Sequence, residues 1–280
     1  MNRILILGAS GFIGNAIYKE LLPYFNVYGT YCTSQPEFDE NQVLFQFDVK
    51  NNTIESVLEK VKPNFIISSL RGDFISQFNI HQKLVNYTLK QKNCRILYLS
   101  TVNVFDAKSE FPSYENDVVL ADSEYGRFKI SIEKLVATLP QSKYAILRLP
   151  MVLGVNSPRV IQLKQASQFQ ADFKVYPNLI ISITTVNKIA QQIHYIINKN
   201  RLGIIHLASN DVIHHSDLFE EISEKLSLKQ VVFKKVYTSN KDAYLAILPK
   251  ENKLPRNYRI TVSQVIKECT LKEEIITLIK

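Results

Sequence analysis

The 280-residue sequence lacks the features that mark several classes of protein. Its three cysteines, Cys32, Cys94 and Cys269, are isolated and show neither CxxC nor Cys/His spacing, which argues against a disulfide framework and a structural zinc site. No apolar run approaches the length of about 18 residues that a membrane span needs, and the opening run of residues 4–7 is too short for a signal peptide. We therefore expect a soluble, cytoplasmic protein with no membrane partner.

Basic residues exceed acidic residues, but they are not concentrated in one place. The formal net charge is +8 at pH 7, which favours an anionic partner. No basic run is interleaved with aromatic residues, as it is in many nucleic-acid-binding proteins. His206, His214 and His215 have no carboxylate or cysteine partner at metal-ligand spacing, and we interpret them as loop or packing residues. The expected partner is an anionic small molecule such as a nucleotide, and neither nucleic acid nor a metal ion is expected.

The first half of the chain alternates short β-rich runs with stretches of helical periodicity, which is typical of a parallel sheet covered by helices. Candidate strands are residues 4–7, 27–31, 43–47, 65–68, 95–99 and 144–149. Apolar helical faces occur within residues 13–21, 54–61 and 128–139. Right-handed crossovers place helices on both sides of such a sheet. We predict an α/β fold with a doubly wound, Rossmann-type parallel sheet, in which residues 1–150 form the NAD(P)-binding domain.

After about residue 150 the rhythm of the sequence changes. An irregular stretch comes first and contains the helix-breaking residues Gly154, Pro158 and Pro177. It is followed by a predicted helix at residues 186–197, a strand-like run at 204–208 and a second helix at 217–226. There are no internal repeats. We predict that residues 151–280 form a smaller substrate-binding lobe, which is partly interleaved with the sheet and covers its carboxyl edge.

Three glycines directly follow the first candidate strand. Gly8, Gly11 and Gly14 form a GxxGxxG motif that opens the first helix. Glycine permits the tight turn and lets backbone N–H groups and the positive end of the helix approach a pyrophosphate. The strand-turn-helix context favours this interpretation over an ordinary turn. The predicted cofactor contacts in this segment are Gly8, Ser10, Gly11, Phe12, Ile13 and Gly14.

Two further segments of the sequence contain side chains with hydroxyl or amine groups. Residues 99–106, with Thr101 and Asn103, follow the fifth candidate strand. Tyr125 and Lys129 are four residues apart, which places them one turn apart on one face of a helix. An ammonium group near a phenol favours the phenolate and lowers the tyrosine pKa from about 10 toward neutral pH. YxxxK alone carries little weight in a chain with 14 tyrosines, but here it follows the glycine motif and the Ser-Thr segment in order.

In this order the motifs resemble those of the extended short-chain dehydrogenase/reductase superfamily. Within it, the sequence is similar to the branch typified by dTDP-4-dehydrorhamnose reductase. That branch has an STxxVFDG-type stretch, a YxExD element, YGRxK and a late RPxNxxL segment. The counterparts here are residues 99–106, 114–117, 125–129 and 254–259. The resemblance covers nearly the whole chain and is strongest in the first half.

The resemblance implies a function and a set of roles. The protein would be an oxidoreductase that reduces a 4-keto nucleotide sugar with NAD(P)H. Thr101 would polarise the substrate carbonyl, Tyr125 would supply the proton, and Lys129 would tune Tyr125 and bind the nicotinamide ribose. Further cofactor contacts are implied at Asp48, Val49, Ser69 and Leu70, and substrate contacts at Asn103 and Arg256. Asp48 can also cap the helix that follows its strand.

Three segments depart from the branch pattern. Residues 68–70 read Ser-Ser-Leu where the branch has Asn-Ala-Ala, the aromatic residue expected near residues 150–151 is absent, and Asn187 replaces an acidic residue. These changes affect the expected sugar and base rather than the hydride chemistry. Because the substrate of this branch carries a diphosphate, we expect basic side chains of the C-terminal lobe to bind it, with Arg159 and Arg256 as candidates.

The end of the second candidate strand bears on the choice of cofactor. A carboxylate there usually binds the adenosine ribose 2′-hydroxyl, and residues 29–33 contain none. A 2′-phosphate would therefore meet no repulsion, and Ser10 or Thr33 could hydrogen-bond it. NADP(H) is favoured, with NAD(H) as the alternative.

Two other functions stay open at this point. A sugar-nucleotide epimerase or dehydratase resembles this scaffold but keeps its cofactor and returns the hydride, and a dehydratase usually adds an acidic pair where Val102 and Asn103 stand. A relative of the rhamnose reductases serves methionine adenosyltransferase as a non-catalytic, dinucleotide-binding regulatory subunit. The presence of Thr101, Tyr125 and Lys129 favours the enzyme. The oligomeric state is open, and a homodimer is compatible with the sequence.

Overall fold

The computed structural model describes residues 1–33, 43–237 and 240–271. These residues form fourteen strands: β1 Arg3–Leu7, β2 Asn26–Tyr31, β3 Leu44–Gln46, β4 Phe65–Ser68, β5 Arg95–Thr101, β6 Tyr144–Leu149, β7 Met151–Leu153, β8 Asp172–Val175, β9 Leu179–Ile181, β10 Ile183–Thr185, β11 Gly203–His206, β12 Ile213–His214, β13 Val232–Lys235 and β14 Ala243–Leu245. The same residues form eight α-helices: α1 Phe12–Leu21, α2 Glu55–Val61, α3 Phe74–Lys90, α4 Glu124–Val136, α5 Pro158–Phe169, α6 Val186–Asn198, α7 His215–Lys225 and α8 Val262–Cys269. Within this part of the chain, no helix combines the length and apolar character that crossing a membrane requires.

The chain divides into two compact units, each made of segments that are not contiguous in sequence. The first unit comprises Met1–Ser100, Arg127–Leu147 and Ala190–Ile205. The second unit comprises Thr101–Gly126, Arg148–Ile189 and His206–Lys280.

The first unit is built on a seven-stranded sheet with the strand order β11-β6-β5-β4-β1-β2-β3. Strand β1 pairs in parallel with both β2 and β4, so that Ile4 lies opposite Val27 on one side and Phe65 on the other. The pairs β2–β3 and β4–β5 are parallel as well. The strand order reverses between β1 and β4, and open α/β sheets bind ligands beyond the carboxyl ends of strands at such a point. The loops that follow β1 and β4 are therefore placed where a ligand is expected.

The six candidate strands of the first half are all found, with ends that differ by at most two residues, and the three apolar faces lie on α1, α2 and α4. Residues 4–7 of β1 are completely buried, as expected for a central strand that is covered on both faces. Side chains from α2, α3 and α4, including Leu58, Leu84 and Ile132, pack in one core with Ile66 and Ile96 of the sheet. The predicted fold class is confirmed: the chain is an α/β protein with a parallel, Rossmann-like sheet and smaller C-terminal sheets.

The described residues of the second unit form small sheets and three whole helices around their own core. β7 pairs with β10, β8 with β13, and β9 with both β12 and β14. The stretch after residue 150, which we expected to be irregular, contains α5. Pro158 occupies the start of this helix, where its missing N–H is no loss. Val160, Leu163 and Ala166 are buried, while Ile161 and Phe169 are exposed, and this mixture hides the helical periodicity in the sequence.

Candidate functional site

The turn after β1 packs so tightly that it requires glycine. Gly8 has a φ of +82°, which L side chains rarely adopt, and its N–H donates to Thr30 Oγ1 at 2.9 Å. A Cβ placed on Gly14 would lie 2.1 Å from the carbonyl oxygen of Gly8. The start of α1 therefore lies directly against the turn, as the GxxGxxG motif predicts.

Ser69, which directly follows β4, stabilises the same turn. Its Oγ donates to the carbonyl oxygen of Leu7 at 2.8 Å. Gly11 is the N-cap of α1, supplies no capping side chain, and is followed by a first turn without an acidic residue. No capping side chain therefore neutralises the N–H groups and the positive end of this ten-residue helix. The arrangement fits a pyrophosphate, which needs donors and a backbone that can come close.

The other predicted cofactor residues lie around this turn or at the neighbouring strand ends. Ser10 is exposed, whereas Phe12, Ile13, Val49 and Leu70 are half-buried. The Asp48 carboxylate accepts hydrogen bonds from Lys50 N at 2.9 Å and Asn51 Nδ2 at 2.6 Å. Asp48 therefore organises the turn after β3, and its contact with adenine stays a prediction.

Thr101 and Asn103 are in direct contact in the second unit. Thr101 is the last residue of β5 and is 9% exposed. Its Oγ1 donates to Asn103 Oδ1 at 3.0 Å and accepts from Asn103 N at 3.3 Å. The hydroxyl is thereby held in one orientation at the strand end, and Asn103 is the residue that holds it.

The first turn of α4, which carries Tyr125, packs against the same segment. A Cβ on Gly126 would lie 2.3 Å from the Asn103 carbonyl oxygen and 2.6 Å from Ala121 Cβ, so only glycine fits there. Tyr125 is 43% exposed. The need for glycine at 126 was missed from the sequence, although a glycine beside the YxxxK tyrosine inside a predicted helix is a signal of close packing.

Asp106 ties the start of α4 to the segment that follows β5. Its carboxylate accepts hydrogen bonds from the Ser123 hydroxyl and from Asp122 N, the latter at 2.6 Å. Ser123 Oγ in turn accepts from Gly126 N at 2.9 Å and so caps the helix. Asp106 and Ser123 were not among the predicted site residues, because their role depends on this tertiary contact.

Lys129 is buried in the first unit. It is 7% exposed, its Nζ donates to the Leu99 carbonyl oxygen at 2.6 Å, and it lies 4.4 Å from the centroid of the Tyr98 ring. Burial lowers the pKa of Lys129 to about 7, while the Glu133 carboxylate acts in the opposite direction. The lysine therefore changes its charge near neutral pH.

Glu133 was also missed from the sequence. It follows Lys129 by four residues on α4, is buried, and accepts a hydrogen bond from Ser100 Oγ at 2.5 Å. An acidic residue among the apolar positions of the predicted helix is the signal that could have indicated it, since a buried carboxylate needs a partner.

The two arginines predicted to bind a diphosphate have different surroundings. The Arg159 guanidinium lies 4.6 Å from the Phe173 ring centroid and 5.1 Å from that of Phe219, and it donates to Gln162 Oε1 at 2.7 Å. Arg159 thus takes part in the packing of the second unit. Arg256 is exposed at the start of a short 3₁₀ turn. Among the described residues, no group of three or more His, Cys, Asp or Glu side chains is placed to hold a metal ion.

Known proteins with similar sequences include both an enzyme and a subunit. The dTDP-4-dehydrorhamnose reductase of Aggregatibacter actinomycetemcomitans is 28% identical over 166 residues, which cover 55% of this chain and 53% of that protein. The methionine adenosyltransferase 2 subunit beta of Xenopus laevis is also 28% identical over 166 residues, which cover 54% of this chain and 47% of that protein. The chain thus spans about half the length of the curated relatives it matches.

Solved structures and a family profile extend the comparison. The dTDP-4-dehydrorhamnose reductase from Bacillus anthracis in complex with NADP has a TM-score of 0.74 at 18% identity and covers 96% of this chain and 98% of that one. The Bordetella bronchiseptica enzyme WbmH in complex with NAD⁺ has a TM-score of 0.77 at 17% identity, with coverage of 96% and 97%. These likenesses concern the fold alone. The profile described as RmlD substrate binding domain matches residues 77–277, which is most of the chain, and the protein therefore belongs to the RmlD substrate binding domain family.

Proposed function

We propose that the protein is an NAD(P)H-dependent reductase of a 4-keto nucleotide sugar. The observation that supports this most is the packing of the first turn of α4, through Gly126, on the backbone of Asn103. This packing keeps the exposed Tyr125 next to the segment that contains Thr101. The Thr101 hydroxyl is already oriented by its hydrogen bond to Asn103. A ketone that is to be reduced needs a hydrogen-bond donor and a proton donor at its oxygen.

The proposed cofactor site comprises the glycine turn, Ser69, which stabilises that turn, and Lys129. When bound, a reduced nicotinamide supplies the hydride. The turn binds the pyrophosphate through backbone N–H groups and the start of α1. Lys129, whose Nζ donates to the Leu99 carbonyl oxygen, would hold the nicotinamide ribose. Residues 1–150 would form this cofactor domain, and residues 151–280 the substrate lobe.

The proposed chemistry of the chain takes place at one oxygen atom of the substrate. Thr101 turns its hydroxyl proton from Asn103 Oδ1 to the carbonyl oxygen, which polarises the ketone. Tyr125 then transfers its phenolic proton to the same oxygen as it becomes an alkoxide. The positive charge of Lys129, one helical turn away on α4, favours loss of this proton.

NADP(H) is the favoured cofactor, and NAD(H) is the alternative. Structures with this fold hold either dinucleotide, so the fold does not choose between them. The end of β2, at Tyr31, and the next residues, Cys32 and Thr33, carry no carboxylate that would repel a 2′-phosphate. Comparing kcat/KM for NADPH and NADH tests this choice, and a tenfold or larger preference for NADH, about 1.4 kcal/mol, would overturn it.

The substitution Tyr125→Phe tests the function itself. The purified protein is given NADPH and a panel of 4-keto nucleotide sugars, and oxidation of NADPH is followed. We expect Tyr125→Phe to lower kcat by about 100-fold or more, with NADPH binding unchanged, because it removes one proton and no packing surface. Tyr237→Phe, which changes another exposed tyrosine, is the matched control and should keep full activity. Turnover by Tyr125→Phe at more than a few per cent would contradict the proposed acid.

A second candidate function is a regulatory subunit that binds a dinucleotide without turnover. The match to methionine adenosyltransferase 2 subunit beta, which is as high in identity as the match to the reductase, favours it. Binding of NADPH with no turnover on any of the ketosugars would support this candidate and exclude the reductase. Oxidation followed by return of the hydride would instead indicate an epimerase or dehydratase.

A cytoplasmic location and a homodimer stay predictions.

A further inference from the structure

The helix that carries Tyr125 has only half of a capping box within its own sequence. Helix α4 begins at Glu124, so Ser123 is its N-cap and Gly126 its third residue. Ser123 Oγ accepts a hydrogen bond from Gly126 N at 2.9 Å, which is the first half of a capping box. In the second half, the side chain of the third residue accepts from the N–H of the N-cap. Glycine has no side chain and cannot make this bond.

Asp106 supplies the missing half of this cap. Its Oδ1 accepts a hydrogen bond from Ser123 N at 3.3 Å and a shorter one from Asp122 N at 2.6 Å. Its Oδ2 accepts from the Ser123 hydroxyl. A Cβ on Gly126 would lie 3.0 Å from the same Oδ2, so the carboxylate lies next to the place where a side chain at position 126 would begin. Asp106 therefore acts as the third residue of the box.

Helix α8 of the second unit shows the ordinary arrangement. Thr261 Oγ1 accepts from Gln264 N at 3.4 Å, and Gln264 Oε1 accepts from Thr261 N at 3.0 Å. Both partners of this box belong to the helix end itself. The cap of α4 instead joins the helix to a residue 17 positions before Ser123. The start of α4 is thus fixed by tertiary structure.

The segment that supplies Asp106 also orients the Thr101 hydroxyl. Asp106 follows the 3₁₀ turn Val102–Phe105, which begins directly after Thr101, and its N–H donates to the Asn103 carbonyl oxygen at 3.3 Å. Asn103 Oδ1 in turn accepts from Thr101 Oγ1 at 3.0 Å. A continuous series of hydrogen-bonded residues therefore leads from Thr101 to the first turn of α4, and all of them belong to the second unit.

We propose that Asp106 is a positioning residue for the reduction: by completing the cap of α4, it holds Tyr125 at the carbonyl oxygen that Thr101 polarises. The inference rests on the proposed function for the reaction that it serves. Two groups that act on one oxygen atom must be held within about 0.5 Å of the productive geometry. Asp106 itself touches neither substrate nor cofactor and acts through the start of the helix.

The test compares Asp106→Asn with the wild type in the reduction of a 4-keto nucleotide sugar. Asparagine keeps the shape, but its amide nitrogen cannot accept a hydrogen bond and its charge is lost. We expect kcat to fall about tenfold or more. The KM for NADPH should not change, because the glycine turn belongs to the first unit.

Hydrogen exchange tests the cap without any substrate. Exchange of the peptide that spans residues 122–128, followed by mass spectrometry, should become faster in Asp106→Asn, because the first turn of α4 opens more often when its cap is incomplete. Unchanged exchange would overturn the proposal.

The matched control is Asp211→Asn. The Asp211 carboxylate accepts from Val262 N, at the first residue of α8, at 2.8 Å, so this variant removes the same kind of bond from the start of another helix. We expect kcat and the exchange of residues 122–128 to keep their wild-type values in Asp211→Asn. An equal fall of kcat in the two variants would mean a general loss of stability and would overturn the proposal.

A double variant tests whether the cap is the route by which Asp106 acts. Ser123→Ala removes the hydroxyl that binds both Asp106 and Gly126 N, and we expect it to lower kcat as well. Because both changes break one cap, Asp106→Asn/Ser123→Ala should lose no more than Asp106→Asn alone, within about twofold. Losses that multiply would overturn the proposal.

Failure of this proposal and failure of the reductase can be told apart. If the wild type reduces a ketosugar and Asp106→Asn keeps its kcat, the reductase stands and the positioning role of Asp106 does not. If the wild type reduces no ketosugar, the reductase is wrong and the positioning role is wrong with it.

Discussion

The molecule has two places suited to phosphate, and they are built by different means. In the first unit, residues 8–14 contain no charged side chain and offer backbone N–H groups and the start of α1. In the second unit, a pocket that contains three cationic side chains, the basic pocket, is lined by Tyr114, Asn210, Leu248, Pro249, Lys250, Lys253 and Arg259. A backbone site depends on how closely two segments approach, whereas a side-chain site depends on charge. We therefore expect a single methyl group to affect the backbone site more strongly, and salt to affect the side-chain site more strongly.

The largest effect is expected from one methyl group at Gly14. In Gly14→Ala the new Cβ would lie 2.1 Å from the Gly8 carbonyl oxygen and 2.9 Å from Ser69 Oγ, so α1 must move away from the turn. Such overpacking costs about 1–3 kcal/mol or more, and it displaces the N–H groups that would bind the pyrophosphate. We expect NADPH binding, followed by fluorescence, to weaken by about 100-fold or more.

Gly11→Ala is the matched control for this change. Its Cβ would meet only the Gly8 carbonyl oxygen, at 3.4 Å, and Gly11 has a φ of −78° that alanine readily adopts. The protein backbone can accept this methyl group without displacing α1, so we expect a smaller loss of NADPH affinity than in Gly14→Ala. Equal NADPH affinities in the two variants would show that the close approach of α1 is not what forms the site.

The next effect should be confined to the second unit. Glu115→Gln keeps the shape of the side chain but removes the charge that holds Lys250 N and Glu251 N. Hydrogen bonds to a buried charged group contribute about 1.5–3 kcal/mol each, and we expect a loss of about 1–3 kcal/mol in the free energy of unfolding, measured in urea. Binding of UDP or dTDP, whose diphosphate we expect basic side chains of this unit to meet, should weaken with it, while NADPH binding to the folded protein should not. A loss of NADPH binding instead would break the contrast between the two places.

The two places also differ in what the sequence could predict. The glycine turn lies within residues 8–14, and its spacing and context point to one structure because the chemistry is local. The order of Thr101, Tyr125 and Lys129 was likewise visible, and their roles stay predictions. By contrast, Tyr114 and Arg259 meet in the basic pocket from distant parts of the chain. No local pattern indicates such a meeting.

Other parts of the site escaped prediction for the same physical reason. Gly126 matters because α4 packs on the Asn103 carbonyl, and Glu133 because Ser100 donates to it. Both contacts depend on tertiary packing rather than on spacing. Arg159 was predicted to bind a diphosphate from its charge and its place in the C-terminal lobe, and this role stays a prediction. Its contact with the Phe173 ring could only be seen in the folded chain.

Lys129 provides a further contrast, because the first unit buries this cation while the basic pocket exposes its own. Burial lowers the pKa of Lys129 to about 7, and the Glu133 carboxylate acts to raise it. A lysine with a lowered pKa is charged below that value and loses its proton as the pH rises through it. We expect kcat/KM of the proposed reduction to fall above about pH 7, measured between about pH 6 and about pH 9.

Glu133→Gln sharpens this prediction. Loss of the carboxylate removes the influence that raises the pKa of Lys129, so the fall in kcat/KM should begin at a lower pH than in the wild type. Glu59→Gln, an exposed position on α2, serves as the control with an unchanged profile. If the pH profile of kcat/KM in Glu133→Gln coincides with that of the wild type, Lys129 does not cause the fall at high pH.

The smallest effect expected is the response to salt. Raising NaCl from about 50 mM to about 500 mM shortens the Debye length from about 14 Å to about 4 Å, and the three exposed cations of the pocket attract the nucleotide through water. We expect UDP or dTDP binding, measured by calorimetric titration, to weaken by about three- to tenfold over this range, and the slope to be shallower in the double variant Lys250→Gln/Lys253→Gln, which removes two of these charges. NADPH at the glycine turn depends more on short backbone hydrogen bonds, which salt screens less, so its slope should be smaller than that of the nucleotide. Equal slopes for the two ligands, unaltered in the double variant, would show that the overall charge of +8, rather than the pocket, attracts the phosphates.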